Sequence, residues 1–273
     1  MLYDLNPVPT KALTVTFTNG PGGKEILFKK VDGYGEPLGG AEFSLYDTYA
    51  HAEAGGSTGL VQVTADQSKT DKATSAAAFT TTDGVAYNVS FKAGNGIYYM
   101  KEVNTVTGYE TNTHVYRVAV GKAGTTVTKD STSVELPSDK EYLIQCMKNA
   151  DEVESTPDVT EYGIVNISKS QSKVILKKID NQTYAPLAGA KFQILRYDRT
   201  LVESTDIVGN TTTTFTSGEN GVYFIDNLPY GTYYIHETTV PDGYQKLDDE
   251  TNWYILTVNE SGVTVSGRLS EAP

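Results

Sequence analysis

The chain has 273 residues, with 34 acidic and 22 basic side chains and a formal net charge of -12. That balance excludes sequence-independent nucleic-acid binding, which needs a basic surface. The single cysteine, Cys146, excludes an intrachain disulfide and every zinc or redox motif built on paired cysteines, and no apolar run reaches the ~18 residues of a membrane span.

The length predicts two domains, and the abundance of tyrosine, threonine and valine predicts strands. The opening "MLYDLNPVPTK" lacks the basic-then-apolar layout of a signal peptide. In "LTVTFTN" (13–19), Leu13, Val15, Phe17 and Asn19 share one face and threonines fill the other. A Gly-rich linker leads to "ILFKKVD" (26–32), a strand carrying two adjacent lysines. Alternation groups Lys30 with Ile26 and Phe28, and Lys29 with Leu27 and Val31, without choosing which lysine faces inward. Residues 48–80 read as an insertion in which "DKATSAAAF" (71–79) predicts a short helix. In "YYMKEV", Tyr98, Met100 and Glu102 share a face and Lys101 points away. A second insertion, "VELPSDKEYLIQCMKNADEVESTPDV" (134–159), predicts a surface loop or an added edge hairpin. In "EYGIVN", alternation puts Tyr162, Ile164 and Asn166 on one face of a strand.

From there the order of elements repeats. "KKVDGYGEPLGGAEFSLYD" (29–47) matches "KKIDNQTYAPLAGAKFQIL" (177–195). "GIYYMKEVNTVTGYE" (96–110) matches "GTYYIHETTVPDGYQ" (231–245), where Tyr233, Ile235 and Glu237 share a face and His236 points away. "HVYRVAVGKAGTTVT" (114–128) matches "NWYILTVNESGVTVS" (252–266). Three blocks in one order define two homologous modules. Short strands separated by Gly, Asn, Asp and Pro turns predict an all-β sandwich or barrel in each module. The layout apolar strand, Asn, short linker, Lys-Lys strand occurs at both 13–32 and 161–180. Residues 1–22 therefore read as the trailing strand of a preceding module plus linker. Residues 23–168 read as one module with insertions, and 172–273 as a second module lacking its last strand.

A lysine, a glutamate and an asparagine on apolar faces define a chemistry. Buried Lys and Glu are rare unless paired, and desolvation lowers an amine pKa and raises a carboxyl pKa. A neutral amine is a nucleophile and a neutral carboxylic acid polarises an amide. Together with an asparagine carboxamide they form a Lys–Asn isopeptide bond and release ammonia, with no cofactor. Asn149, in "CMKNADE", rivals Asn166 as the acceptor; the repeated context at Asn19 favours Asn166. His51, His114 and His236 are dispersed and lack ligand spacing, so no metal site is expected, and "KLDDET" (246–251) reads as a solvated loop. Cys146 reads as a small buried side chain.

"KKIDNQTYAPLAGAKF", "YYIHETTVPDGYQ" and "YILTVNESGVTVSG" resemble the collagen-adhesin B-type (CnaB, SpaA-like) modules of Gram-positive adhesins and pilins. The resemblance covers nearly the whole chain and is weakest in the two insertions. It implies tandem Ig-like or prealbumin-like β-sandwiches. It implies Lys30 and Lys178 as the reactive lysines, Glu102 and Glu237 as the catalytic acids, and Asn166 as the partner of Lys30. Lys178 and Asn19 are then competent residues without a partner in this chain. "EVNTVTGYE" departs from the family motif by lacking its proline. The implied function is a structural stalk module of a surface pilin or adhesin, and not an enzyme acting on an outside substrate. Its partners would be neighbouring modules, pilin subunits or a host surface ligand, and its location the extracellular cell surface or cell wall. "LPSDK" (136–140) fails as a sorting pentapeptide, so a surface protein of this kind would be a longer precursor. The alternatives are a ligand-binding adhesin region, or an accessory β-sandwich of a secreted glycan-acting enzyme.

Overall fold

The computed structural model describes residues 23–65, 78–80, 89–205, 210–246, 253–269 and 273. Asn19, the first seven residues of "DKATSAAAF" and most of the "KLDDET" loop lie outside the described residues.

Module one contains β1 (Lys24–Phe28), β2 (Lys30–Val31), β3 (Glu42–Tyr46), α1 (Tyr49–Ala54), β4 (Thr64–Ala65), β5 (Ala78–Thr80), β6 (Val89–Ala93) and β7 (Gly96–Asn104). It continues with β8 (Val115–Val120), β9 (Thr126–Lys129), β10 (Thr132–Glu135), β11 (Tyr142–Met147), α2 (Val159–Tyr162) and β12 (Ile164–Val165). Among the described residues, a sheet ordered β11-β8-β7-β3-β5 faces a smaller sheet ordered β1-β6-β4. The core between them joins Ile26, Phe28 and Phe91 to Phe43, Leu45, Met100, Val118 and Ile144. The Phe28 and Phe43 rings meet edge to face at 5.3 Å.

Module two contains β13 (Gln171–Lys177), β14 (Lys191–Arg196), β15 (Ser204–Thr205), β16 (Thr211–Thr212), β17 (Phe215–Thr216), β18 (Val222–Pro229), β19 (Gly231–Thr239), β20 (Trp253–Asn259) and β21 (Gly262–Arg268). Its larger sheet runs β17-β14-β19-β20-β21 and faces the β13–β18 pair. Val174 and Ile225 pack there against Ile194, Ile235, Leu256 and Val258. The protein is all-β: two sandwiches in tandem, whose larger sheets share the order of four strands, β8-β7-β3-β5 matching β20-β19-β14-β17.

Three expectations change. Ala78 and Phe79, assigned to a helix by sequence, lie on β5 and pair with Ser44 and Phe43 of β3. The second insertion is not a surface loop but adds to the sheet edge, and its chain turns back through an antiparallel bridge between Met147 and Val153. Its "YLIQCM" segment is β11, an edge strand of the main sheet paired with β8, and it buries Ile144, Cys146 and Met147. That displaces β9, whose counterpart β21 stays in the main sheet of module two, into a separate pair with β10. Tyr162 is not on a strand. It ends the one-turn helix α2, whose first turn is capped by the Asp158 carboxylate accepting from Thr160 N and Glu161 N.

Cys146 is buried, as expected, and burial pushes its thiol up to about 12. Among the described residues, no helix is long and apolar enough to cross a membrane.

Candidate functional site

The two lysines of "ILFKKVD" part company at the end of the first strand. Lys29 stays half-buried and its Nζ donates to Glu161 O at 3.2 Å. Lys30 follows Ile26 and Phe28 inward and is fully buried, at 0% exposure. It is held there by β12, which lies parallel to β2, with Ile164 opposite Lys30 and Val165 opposite Val31. Ile164 N donates to Lys29 O at 2.8 Å and Asn166 N to Val31 O at 3.0 Å. β12 thereby closes over the lysine, and Lys30 Nζ donates to Ile164 O at 3.0 Å.

Glu102 reaches the same point from β7, on the face that also buries Met100. Its Oε2 lies 3.8 Å from Lys30 Nζ, beyond hydrogen-bond range. Its Oε1 accepts from Asn166 Nδ2 at 2.7 Å, and the same nitrogen donates to Thr105 Oγ1 at 2.7 Å. Among the described residues, Asn166 Oδ1 and Glu102 Oε2 have no hydrogen-bond partner. The structure thus gathers Lys30, Glu102 and Asn166 in one buried site.

Burial lowers the Lys30 amine from 10.5 to about 7, against the opposing pull of the Glu102 and Asp32 carboxylates. Burial likewise raises the Glu102 carboxyl, opposed by Lys30 and by hydrogen bonds from Asn166 and Thr105. Desolvation leads on both sides, so both groups shift toward their uncharged forms.

Module two carries the corresponding pair in a more open setting. Lys178 Nζ donates to Glu237 Oε2 at 2.8 Å, with the lysine side chain 26% exposed and the glutamate 5%. Leu187 N donates to Lys178 O, as Leu38 N does to Lys30 O. On the opposite edge, where β12 lies in module one, no strand pairs with residues 177–179 among the described residues. Asn149 sits apart on an exposed turn after β11, its Oδ1 accepting from Asp151 N and Glu152 N.

Two residues at the first site escape a reading of the sequence. Thr105 lies just past β7, where strand alternation stops, and Val240 occupies its place in module two. Asn112 Nδ2 donates to Val165 O at 3.1 Å and to the Tyr116 hydroxyl at 2.9 Å, tying β12 to β8. The Asn-x-His turn, in which His114 N donates to Asn112 Oδ1, is the one local signal for it.

Tandem all-β sandwiches, the first enclosing a buried lysine, glutamate and asparagine, define the class of protein. The chain belongs to the family described as the SpaA prealbumin-like fold domain, whose model matches residues 24–134 and again 172–271. No curated protein matches it. Similar solved structures include a streptococcal ancillary pilin, 21% identical over 86% of this chain and 58% of that one, with a TM-score of 0.33. The minor pilin of Streptococcus agalactiae is 18% identical over 83% of this chain and 80% of its own, TM-score 0.31. The shaft pilin SpaA of Lactobacillus rhamnosus GG is 19% identical over 86% and 93%, TM-score 0.27. The chain therefore spans less than two thirds of the length of the ancillary pilin.

Proposed function

We propose that this chain is a structural segment of a bacterial surface stalk, of pilin or adhesin type, whose first module closes itself with an isopeptide bond between Lys30 and Asn166. The observation that carries the reading is the convergence of Lys30 and Asn166 on Glu102 inside the sandwich. The uncharged Lys30 Nζ attacks Asn166 Cγ and a C–N bond forms. The Glu102 carboxyl, hydrogen-bonded to Asn166 Nδ2, gives its proton to that nitrogen and takes one from Lys30. The bond from Cγ to Nδ2 breaks and ammonia leaves. Thr105, accepting from the same nitrogen, fixes the amide plane for attack.

Intact mass tests this. One bond removes one ammonia, about 17 Da by this condensation. The wild-type chain should show that deficit and Glu102→Ala should restore the full mass. Full mass in the wild type would remove the bond from the proposal, and a deficit that survives in Glu102→Ala would remove Glu102 as the acid.

Module two supports a related reading because its Lys178–Glu237 pair faces an edge without a strand partner among the described residues. We propose that it takes an asparagine-bearing strand, and that Leu13–Asn19 of a second copy has the required apolar-then-Asn pattern. The same samples, boiled and run on a denaturing gel, would then show multiples of the chain mass; monomer alone removes this second reading.

A further inference from the structure

The two strands that carry the reactants of module one are each gripped, a few residues from the reacting atoms, by module two. On the lysine side, the turn after β2 touches β19 directly. Thr232 N donates to Gly33 O at 3.0 Å, and the Tyr34 hydroxyl donates to Val258 O at 2.7 Å. Gly33 lies so close that an added Cβ would fall 2.8 Å from Tyr230 O. On the asparagine side, Tyr162 stands at the end of α2, four residues before Asn166. The Arg199 guanidinium sits between two rings there, 4.7 Å from the Tyr162 centroid and 4.0 Å from the Tyr234 centroid. Tyr197 packs edge-on against Tyr162 at 6.0 Å, and its backbone oxygen accepts from Arg199 Nη1 at 2.6 Å. A planar cation held between two rings fixes position more tightly than a flexible ammonium does. Arg199 adopts φ 68°, a left-handed turn conformation uncommon for a side chain of its size, and that turn delivers it to the stack.

We propose that module two is the positioning clamp for bond formation in module one: Arg199, stacked on Tyr162, sets β12 over β2, while the Gly33–Thr232 contact holds β2 beneath it. This inference rests on the isopeptide reading above and adds that the reaction in one module depends on the next. Arg199 acts through Tyr162 and touches none of the reacting atoms, so it is a positioning residue.

The test follows bond formation in full-length chains made by cell-free synthesis, quenched in denaturant at successive times and weighed. Arg199→Ala and Tyr162→Ala should slow the mass loss at least about tenfold, as misplacing reactants does. Tyr162→Phe, which keeps the ring and loses the hydroxyl's hydrogen bond with Arg199, should react faster than Tyr162→Ala, and Arg199→Lys should fall between wild type and Arg199→Ala. The midpoint of the pH–rate profile should stay where it is in the wild type while the plateau drops. Ile225→Ala, a cavity in the core of module two away from the contact, controls for general loosening and should leave the rate near wild type. Wild-type rates in Arg199→Ala and Tyr162→Ala would overturn the clamp while leaving the isopeptide bond intact. Slowing by Ile225→Ala equal to that by Arg199→Ala would also overturn it, because Arg199 would then act only through stability. No mass loss in the wild type at any time would remove the isopeptide reading, and the clamp with it.

Discussion

Lys30 and Glu102 stand 3.8 Å apart with no water-exposed surface on either side chain. A charged pair at that spacing lacks a direct hydrogen bond between its two members, and the neutral pair is the form that burial favours. The consequence for pH has a definite sign. In a chain that cannot react, Asn166→Ala, the unfolded lysine holds its proton to about 10.5 and the folded one loses it near 7. Between those values the unfolded state binds more protons, so this contribution to stability is present above 10.5 and is lost as pH falls through 7. Glu102 works in reverse. Its raised folded value means its contribution is present in acid and is lost as pH rises past that value. A carbon-13 titration of the lysine side chains in Asn166→Ala should show one midpoint near 7, and all midpoints near 10.5 would contradict the buried neutral amine. At this scale the sequence showed a good deal. Alternation put Glu102 on the inner face and narrowed the lysine to two adjacent choices, which it cannot separate because both faces of that strand are apolar. Thr105 stayed hidden because it follows the strand end, where a period of two no longer applies.

β12 is only two residues long, and its placement depends on the helix before it. α2 runs straight into Gly163, whose φ of 82° turns the chain back along β2. A Cβ on Gly163 would fall 2.7 Å from Lys29 Cβ and 2.8 Å from Lys29 O, so both the conformation and the space demand glycine. Gly163→Ala should therefore push β12 off β2, cost about 1–3 kcal/mol, and lower the yield of cross-linked chain by mass. An unchanged urea midpoint with a full mass deficit would show that the junction tolerates a side chain. The signs of this helix stand in the sequence: Asp158 three residues before Glu161, then Gly163, is a capped turn. Alternation over "EYGIVN" masked them, because a strand period fits any six residues with apolar side chains at every second place. β11 was obscured differently. Its neighbours are polar and its charge pattern that of a loop, yet β8 offers an open edge, and burying Ile144, Cys146 and Met147 outweighs the local composition.

The repeat made the tandem architecture legible, since each block carries its own apolar alternation and its own turn residues. The way the modules meet was not legible, because it is made by Gly33, Tyr34, Tyr162 and Arg199. These sit on turns and at the end of a helix, and owe nothing to periodicity. With the proposed bond in place, residues 30 to 166 form a closed covalent loop. By analogy with a disulfide closing a loop of that size, the unfolded state loses entropy equivalent to about 5 kcal/mol.

The parallel lie of β2 and β12 has a further consequence, for tension. A chain pulled by its two ends loads the first and last strands of module one in opposite directions along their length. Parallel neighbours under such a load slide in shear, and their ladder yields together instead of unzipping one bond at a time. Lys30 and Asn166 sit on that seam, so a bond between them would carry the load from linker to linker and leave the β7 and β8 core slack. Stretched singly, Glu102→Ala should release roughly 450 Å of hidden chain from module one, at about 3.3–3.6 Å per residue. The wild type should release none of it, and a wild-type trace showing that step would mean that the seam is held by hydrogen bonds alone.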